Sequence, residues 1–426
     1  IGLGEEIFGY NTFGWRIMPL VFGTLAILLL IRITRRMFRS TILGLAAGLL
    51  MSLDGMEFVL SRTALLDIFL MFFILAAFGC LVLDRDLRRR RWLTAMENGH
   101  DPSKRGKAGR LPIAIPWWRV AAAVMTGCAC SVKWSAIWYV VLFVILIFVW
   151  EVGARRSAGV REPWLDTLLG ETGWIVMFGA IVFGVYLASW TGWFVTDHGY
   201  YRHYLASTGH HEYPIIGPLY NLWKYHEAAY GFHTGLTTPH QYQSWPWQWL
   251  LLGRPVAFWY SAAPGCGATS CSAEVLLLGT PLLWWSFLPA ILAVGAFAIA
   301  RRDWRANAIF WCAFMGIVPW FIWEFSDRTM FYFYALPALP FLIMAIVYLF
   351  GMLIHTPDRN GPGSAAIRGG RTYILGVDRR TIGAVLLGVY ILIIAATFAY
   401  FYPIYAGEKI TYAQWLSRMW LGGRWI

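Results

Sequence analysis

Residues 61–91 read SRTALLDIFLMFFILAAFGCLVLDRDLRRRR. The run 63–83 carries one charge, Asp67, and has about the 20 mainly apolar residues that a helix needs to cross a bilayer. Arg85 and the unbroken Arg88, Arg89, Arg90 and Arg91 follow it. Such basic flanks mark the cytoplasmic end of a span, so this one runs inward with its single carboxylate at the outer mouth.

Nine further runs of the same kind lie at 15–31, 41–59, 118–132, 134–150, 173–190, 275–299, 307–323, 331–353 and 381–402. The composition agrees: of 426 residues 58% are hydrophobic, 17% aromatic and only 14% charged, with a mean hydropathy of +0.55, where a soluble domain carries about a quarter charged residues. The fold class expected is an all-α polytopic membrane protein. With the ten spans alternating in direction, most of the 35 Lys and Arg fall on one side, in bursts after the first, third, fifth, seventh and ninth. Residue 1 then starts outside. The net charge of +12 belongs to the membrane surface and its lipids, because no single basic face gathers it for a nucleic acid.

The outer side holds one long segment, 191–274, with seven of the nine His and Trp193, Trp223, Trp245, Trp247, Trp249 and Trp259. Aromatic and amphipathic, it suits an interfacial cap. The chain is thus divided into 1–190, 191–274 and 275–426, with 359–371, rich in Gly and Arg, as a flexible cytoplasmic connection. Six Cys are too few for a disulfide scaffold, but Cys266 and Cys271 share the outer segment and are expected to pair there.

Ionisable groups in spans are costly and default to functional hypotheses. Here they are expected at outer helix ends and not at the midplane, which argues against a secondary transporter or proton relay. Asp54 and Glu57 fall on one face near the end of the second span, where hydrogen bonding to helix ends is the favoured reading. Arg62 and Asp67, five apart, could neutralise one another; Arg62 has a guanidinium shaped for phosphate. Lys133, in the outer hairpin after the fourth span, could serve as a plain interfacial anchor. Together, Arg16, Arg62, Lys133, Arg254 and Arg328 on one face suggest a site for an anionic headgroup. No P-loop, dinucleotide fingerprint, His-Glu-x-x-His or zinc pair is present. His210-His211-Glu212 is a faint metal hint that solvated loop histidines explain better.

Ser61-Arg62-Thr63-Ala64-Leu65-Leu66-Asp67 resembles the Ser-Arg-x-x-Leu-Leu-Asp signature of protein O-mannosyltransferases, glycosyltransferase family 39. Ser131-Val132-Lys133-Trp134 is similar to their Ser-x-Lys-aromatic motif. The stretches Trp223 to His226, Phe232 to Leu236, Pro239 to Trp247 and Arg254 to Tyr260 resemble the loop of the bacterial, actinobacterial-type branch. The resemblance implies a GT-C-type transmembrane helix bundle with one large aromatic outer loop, too short for the soluble domain of eukaryotic members. It also implies inverting transfer of mannose from polyprenyl-phosphate-mannose to Ser or Thr hydroxyls of unfolded secretory polypeptides, near the Sec translocon, on the outer face of a bacterial plasma membrane. Nearest alternatives are a GT-C transferase acting on a lipid or glycan and, further off, a transporter. In that frame Arg62 and Asp67 are the catalytic candidates and Arg16, Lys133, His240 and Arg254 the donor-binding ones. No cofactor or metal ligand is expected beyond the lipid-linked donor. The family's catalytic Asp-Glu pair would precede Ile1, so the chain as read is expected to need residues upstream of it for activity.

Overall fold

The computed structural model describes residues 1–104, 106–262, 264–354, 373–374 and 377–426. The stretch 359–371 lies outside these residues.

A short helix, α1 (Gly2–Phe8), leads into α2 (Thr12–Phe38), whose first turn is capped by Asn11 Oδ1 accepting from the amides of Phe13 and Gly14. There follow α3 (Thr41–Ser52), α4 (Gly55–Leu60), α5 (Asp67–Glu97), α6 (Trp117–Val132), α7 (Ile137–Ala158) and α8 (Pro163–Ala188). The outer segment contributes α9 (Thr191–Val195), α10 (Tyr204–Ser207), α11 (Ile216–Thr234), α12 (Pro246–Trp249) and strands β1 (Val256–Ser261) and β2 (Cys271–Leu277). Then come α13 (Pro281–Arg301), α14 (Trp304–Ile317), α15 (Leu339–Ile354), strands β3 (Tyr373–Ile374) and β4 (Val377–Asp378), α16 (Arg379–Ala406), β5 (Ile410–Thr411) and α17 (Tyr412–Leu416).

Eight helical stretches among the described residues are long and apolar enough to cross a membrane. The remaining two expected spans are the shorter α6 and the region 41–59. The latter is not one helix: it breaks at Leu53 and Asp54 into α3 and α4. An unsatisfied backbone group in hydrocarbon costs several kcal/mol, and here side chains take up several of the groups that the break frees. Asp54 accepts from the Glu57 amide (3.0 Å), from the Thr280 amide (3.3 Å) and from Trp284 Nε1 (2.6 Å). Thr280 Oγ1 accepts from Gly55 N and donates to the Leu53 carbonyl. Gly55 is required there, since a Cβ would lie 2.2 Å from the Leu278 carbonyl oxygen.

The core centres on α15, nearly all of whose residues from Leu339 to Val347 are solvent-inaccessible. Tyr139 of α7 reaches across to donate to the Cys312 and Pro337 carbonyls. By contrast α8 and α16 leave Val176, Phe183, Val385 and Leu392 exposed, as lipid-facing helices do.

The outer layer adds what the sequence reading lacked, a small antiparallel sheet ordered β1-β2-β5. Residues 407–426 thereby return to the outer segment. Trp415 Nε1 donates to Glu274 (2.6 Å) and Trp425 Nε1 to the Leu252 carbonyl (2.7 Å). Cys266 and Cys271 are disulfide-bonded at the start of β2.

The expectation that ionisable groups of the spans gather only at outer ends is corrected by the opposite end of the bundle. Arg119, 1% exposed, binds Asp84 (2.8 Å), Glu151 (2.7 Å) and Glu171 (2.7 Å). Arg155 joins Glu151, Asp166 and Glu171; Arg88 joins Glu151 and Glu171; Arg110 joins Asp166. Four arginines thus meet four carboxylates and tie α5, α6, α7 and α8 together. The pairs were hidden because these helices extend beyond the apolar runs that define the spans.

Candidate functional site

The 61–67 turn follows α4 directly. Ser61 and Thr63 donate their hydroxyls to the Phe58 and Val59 carbonyls, which closes the turn locally. It sits close against α2: a Cβ on Gly23 would lie 2.7 Å from Ser61 Cβ and 2.8 Å from Glu57 Oε1. That Glu57 oxygen is buried and has no hydrogen-bond partner among the described residues.

Asp67 opens α5 as expected, 3% exposed, and accepts from Lys133 Nζ at 2.9 Å. The suggested Arg62–Asp67 neutralisation is therefore replaced by Asp67–Lys133. The reason is directional. Arg62 is exposed and lies over the Phe58 ring (4.6 Å), which is itself against Phe398 and Tyr402 of α16. Lys133 stands where α6 ends in extended backbone, and its ammonium lies 3.7 Å from the Tyr334 ring centre, with Trp320 and Phe333 at 5.7 and 5.9 Å. One carboxylate and three π faces surround this cation.

Beside it, Trp134 stacks on His226 of α11 (5.4 Å, 11°). Trp134 Nε1 donates to Tyr186 Oη (3.0 Å), which contacts His226 Nε2 at 2.5 Å, while His226 Nδ1 faces the Leu222 carbonyl at 2.7 Å. A carbonyl only accepts, so Nδ1 carries the hydrogen and Tyr186 donates to Nε2. Arg328, which is buried, donates Nε to the His233 carbonyl (2.9 Å), and its Nη1 is buried without a partner among the described residues. Burial first, then the charges of Arg328 and Lys133, hold the His233 imidazole below its ordinary range. Thr329 bonds the Leu236 and Thr238 carbonyls, and the Ser244 amide donates to the Met330 carbonyl, so the outer segment is laced onto residues 328–330.

Of the expected residues, the structure brings Asp67 and Lys133 into contact. His240 lies at the edge of the group, its ring 5.1 Å from Phe331, which stacks on Phe333. Arg62 shares the turn but faces α16. Arg16 is exposed in the first turn of α2. Arg254 gives its donors to the carbonyls of Gln241, Gly423, Arg424 and Ile426, which fastens the outer segment to the last residues. Glu212 turns to Arg202 and Asn221, and no cluster of three metal-ligating side chains occurs among the described residues. His226, His233, Trp134, Tyr186 and Tyr334 were not singled out as site residues. The signal that could have found the first three was their place in the Ser-x-Lys-aromatic and loop motifs.

Comparison with known proteins places these features in context. Residues 1–99 match the family model described as dolichyl-phosphate-mannose-protein mannosyltransferase, and residues 218–425 match the C-terminal four-transmembrane region of protein O-mannosyltransferase. A polyprenol-phosphate-mannose–protein mannosyltransferase of Mycolicibacterium smegmatis is 38% identical over 99% of this chain and 79% of its own length. Proteins of the same description from Mycobacterium tuberculosis and Corynebacterium glutamicum are 37% and 33% identical, each covered over 78% of its length. The solved Saccharomyces cerevisiae Pmt1-Pmt2 complex, bound to the sugar donor, superposes with a TM-score of 0.63 at 13% identity, over 98% of this chain and 82% of that one. The likeness at that identity is one of fold.

Proposed function

The chain belongs to the protein O-mannosyltransferase family, and from that membership we propose that it moves mannose from a polyprenyl-phosphate donor to Ser and Thr hydroxyls of polypeptides. The observation that carries the reading is the agreement in sequence, over nearly the whole chain, with three relatives of that one described activity.

The geometry supports roles for particular residues. In the transfer, a general base takes the proton of an acceptor hydroxyl whose oxygen attacks the anomeric carbon; the bond from that carbon to the phosphate oxygen breaks, and the phosphate keeps the electron pair. Cations fixed beforehand at a poorly hydrated site stabilise that developing charge. Lys133 is fixed by Asp67 and three rings, and Arg328 brings an unused donor to the same surface. Asp67 then orients Lys133 and does not touch the sugar. Trp134, exposed and stacked on His226 by one face, offers its other face to sugar or peptide. Arg62 and Arg16, unpaired among the described residues, are assigned to the donor's phosphate and headgroup region, with His240 at the sugar's edge. The leaving group is already a phosphate ester, and we assign the transfer no resident cofactor beyond the lipid-linked donor. The basic residues collected at the other end support an outward-facing site, which we assign to a bacterial plasma membrane where unfolded secretory chains leave the Sec translocon.

The test supplies full-length protein in membranes with polyprenyl-phosphate-mannose and a Ser/Thr-rich peptide. One added hexose per modified hydroxyl is expected by mass spectrometry. Hexose found on lipid or glycan, and never on the peptide, would sink the reading.

A further inference from the structure

At the end of the bundle opposite the site, a cavity of about 1400 Å³ opens between α2, α5 and α6. That exceeds the range of roughly 300–1,000 Å³ usual for small-molecule clefts. The part away from the arginines is apolar, lined by half-buried Phe72, Ala76 and Met125 and by exposed Leu25 and Leu28. Its mouth is lined by Arg32, Arg35 and Arg36 of α2 and Arg85, Arg89 and Arg90 of α5, with Asp86 as the one acidic residue in the lining. From Leu25 to Arg36 along α2 is about 17 Å at 1.5 Å per residue, close to the ~15 Å of a single leaflet's hydrocarbon.

Inward-facing arginines need no ligand when water solvates them. Here exposed Arg32, Arg35 and Arg90 share the mouth with buried Arg85 and half-buried Arg89. Asp86 serves Arg36 (2.8 Å) and Arg85 (3.2 Å), and Arg85 also lies 3.5 Å from the Trp304 ring centre. Arg32, Arg35 and Arg90 have no side-chain partner among the described residues, and Arg89 Nε is buried with none. Trp118 and Trp304 line the cavity with them, as amphipathic rings do at headgroup depth. We propose that this cavity binds one anionic phospholipid of the inner leaflet, its acyl chains among Leu25, Phe72 and Met125 and its phosphate among the unpaired guanidiniums. Basic pockets between helices on the cytoplasmic side suit such headgroups. The inference is independent of the transferase reading, since it uses none of the outer residues.

The test is bound-lipid analysis of full-length protein, followed by rebinding in nanodiscs of phosphatidylcholine with or without phosphatidylglycerol. Wild type is expected to retain phosphatidylglycerol over phosphatidylcholine. Arg35→Gln/Arg90→Gln, both exposed and unpaired, should lower that retention about thirtyfold without moving the melting temperature in phosphatidylcholine. Ala76→Phe, which fills the apolar part and leaves the charges alone, should lower it as well. Equal retention of both lipids, unchanged retention in either variant, or displacement by inorganic phosphate alone would each overturn the proposal. So would photo-crosslinking from Cys80, in the cavity wall, that captures polypeptide and no lipid.

Discussion

At the inner end Arg119 spends its guanidinium on Asp84, Glu151 and Glu171, whereas at the outer end Lys133 has one carboxylate, Asp67, and three aromatic rings. The inner group is balanced, four arginines to four carboxylates, and leaves only Asp84 Oδ1 buried without a partner among the described residues. The outer group has Lys133 and Arg328 against Asp67, with one buried guanidinium nitrogen unspent. Both groups put cations in a low-dielectric setting, but of the two only the one around Lys133 and Arg328 leaves a buried cationic nitrogen without a partner among the described residues. Balance marks a structural device and excess marks a binding one.

The contrast can be broken most forcefully at Arg119. Arg119→Ala leaves three buried carboxylates short of a partner and is expected to destabilise the bundle by about 3–5 kcal/mol, read as a fall in melting temperature and in membrane yield. A normal melting curve would show that the inner network is not structural. Next in size is Lys133→Met. It should lower turnover on the order of a hundredfold with a smaller fall in melting temperature than Arg119→Ala, since it strands one buried carboxylate and not three, and turnover near wild type would remove Lys133 from the phosphate. The third concerns Glu274, an outer carboxylate with no cation, whose carboxyl burial raises to about 7 against the opposing hydrogen bond from Trp415. A raised acid favours the protonated native state, so stability should fall as pH rises from about 4.5 to 7 and level off above. Glu274→Gln should flatten that slope and add about 2 kcal/mol at pH 8, seen in melting curves across pH. The smallest is Arg62→Lys, expected to cost about tenfold in turnover through loss of the planar two-pronged donor. No change at equal expression would reassign Arg62 to its contact with Phe58.

The spans were legible because apolar runs of sufficient length end in arginines, a pattern carried by neighbouring residues. The break at Asp54 was not, because its partners Thr280 and Trp284 lie 226 and 230 residues away. Asp67 and Lys133 were each marked by being charged at a helix end, yet their pairing spans 66 residues, and the nearer Arg62 looked the better partner. The sheet escaped notice since β1, with Phe258, Trp259 and Tyr260, reads as well for an interfacial loop as for a strand. Glu151 and Glu171 were invisible as partners because only packing of four helix ends joins them to Arg119.

The pairing of β2 with β5 has a bearing on biogenesis. Trp415 reaches Glu274 from 141 residues downstream, which at 5–20 residues per second is on the order of ten seconds of ribosome time. Through that interval β2 waits beyond the membrane with one hydrogen-bonding edge open to any other extended chain, and four long helices must be threaded before its own partner arrives. The outer segment of this protein is thus closed by a strand made well after the one it pairs with.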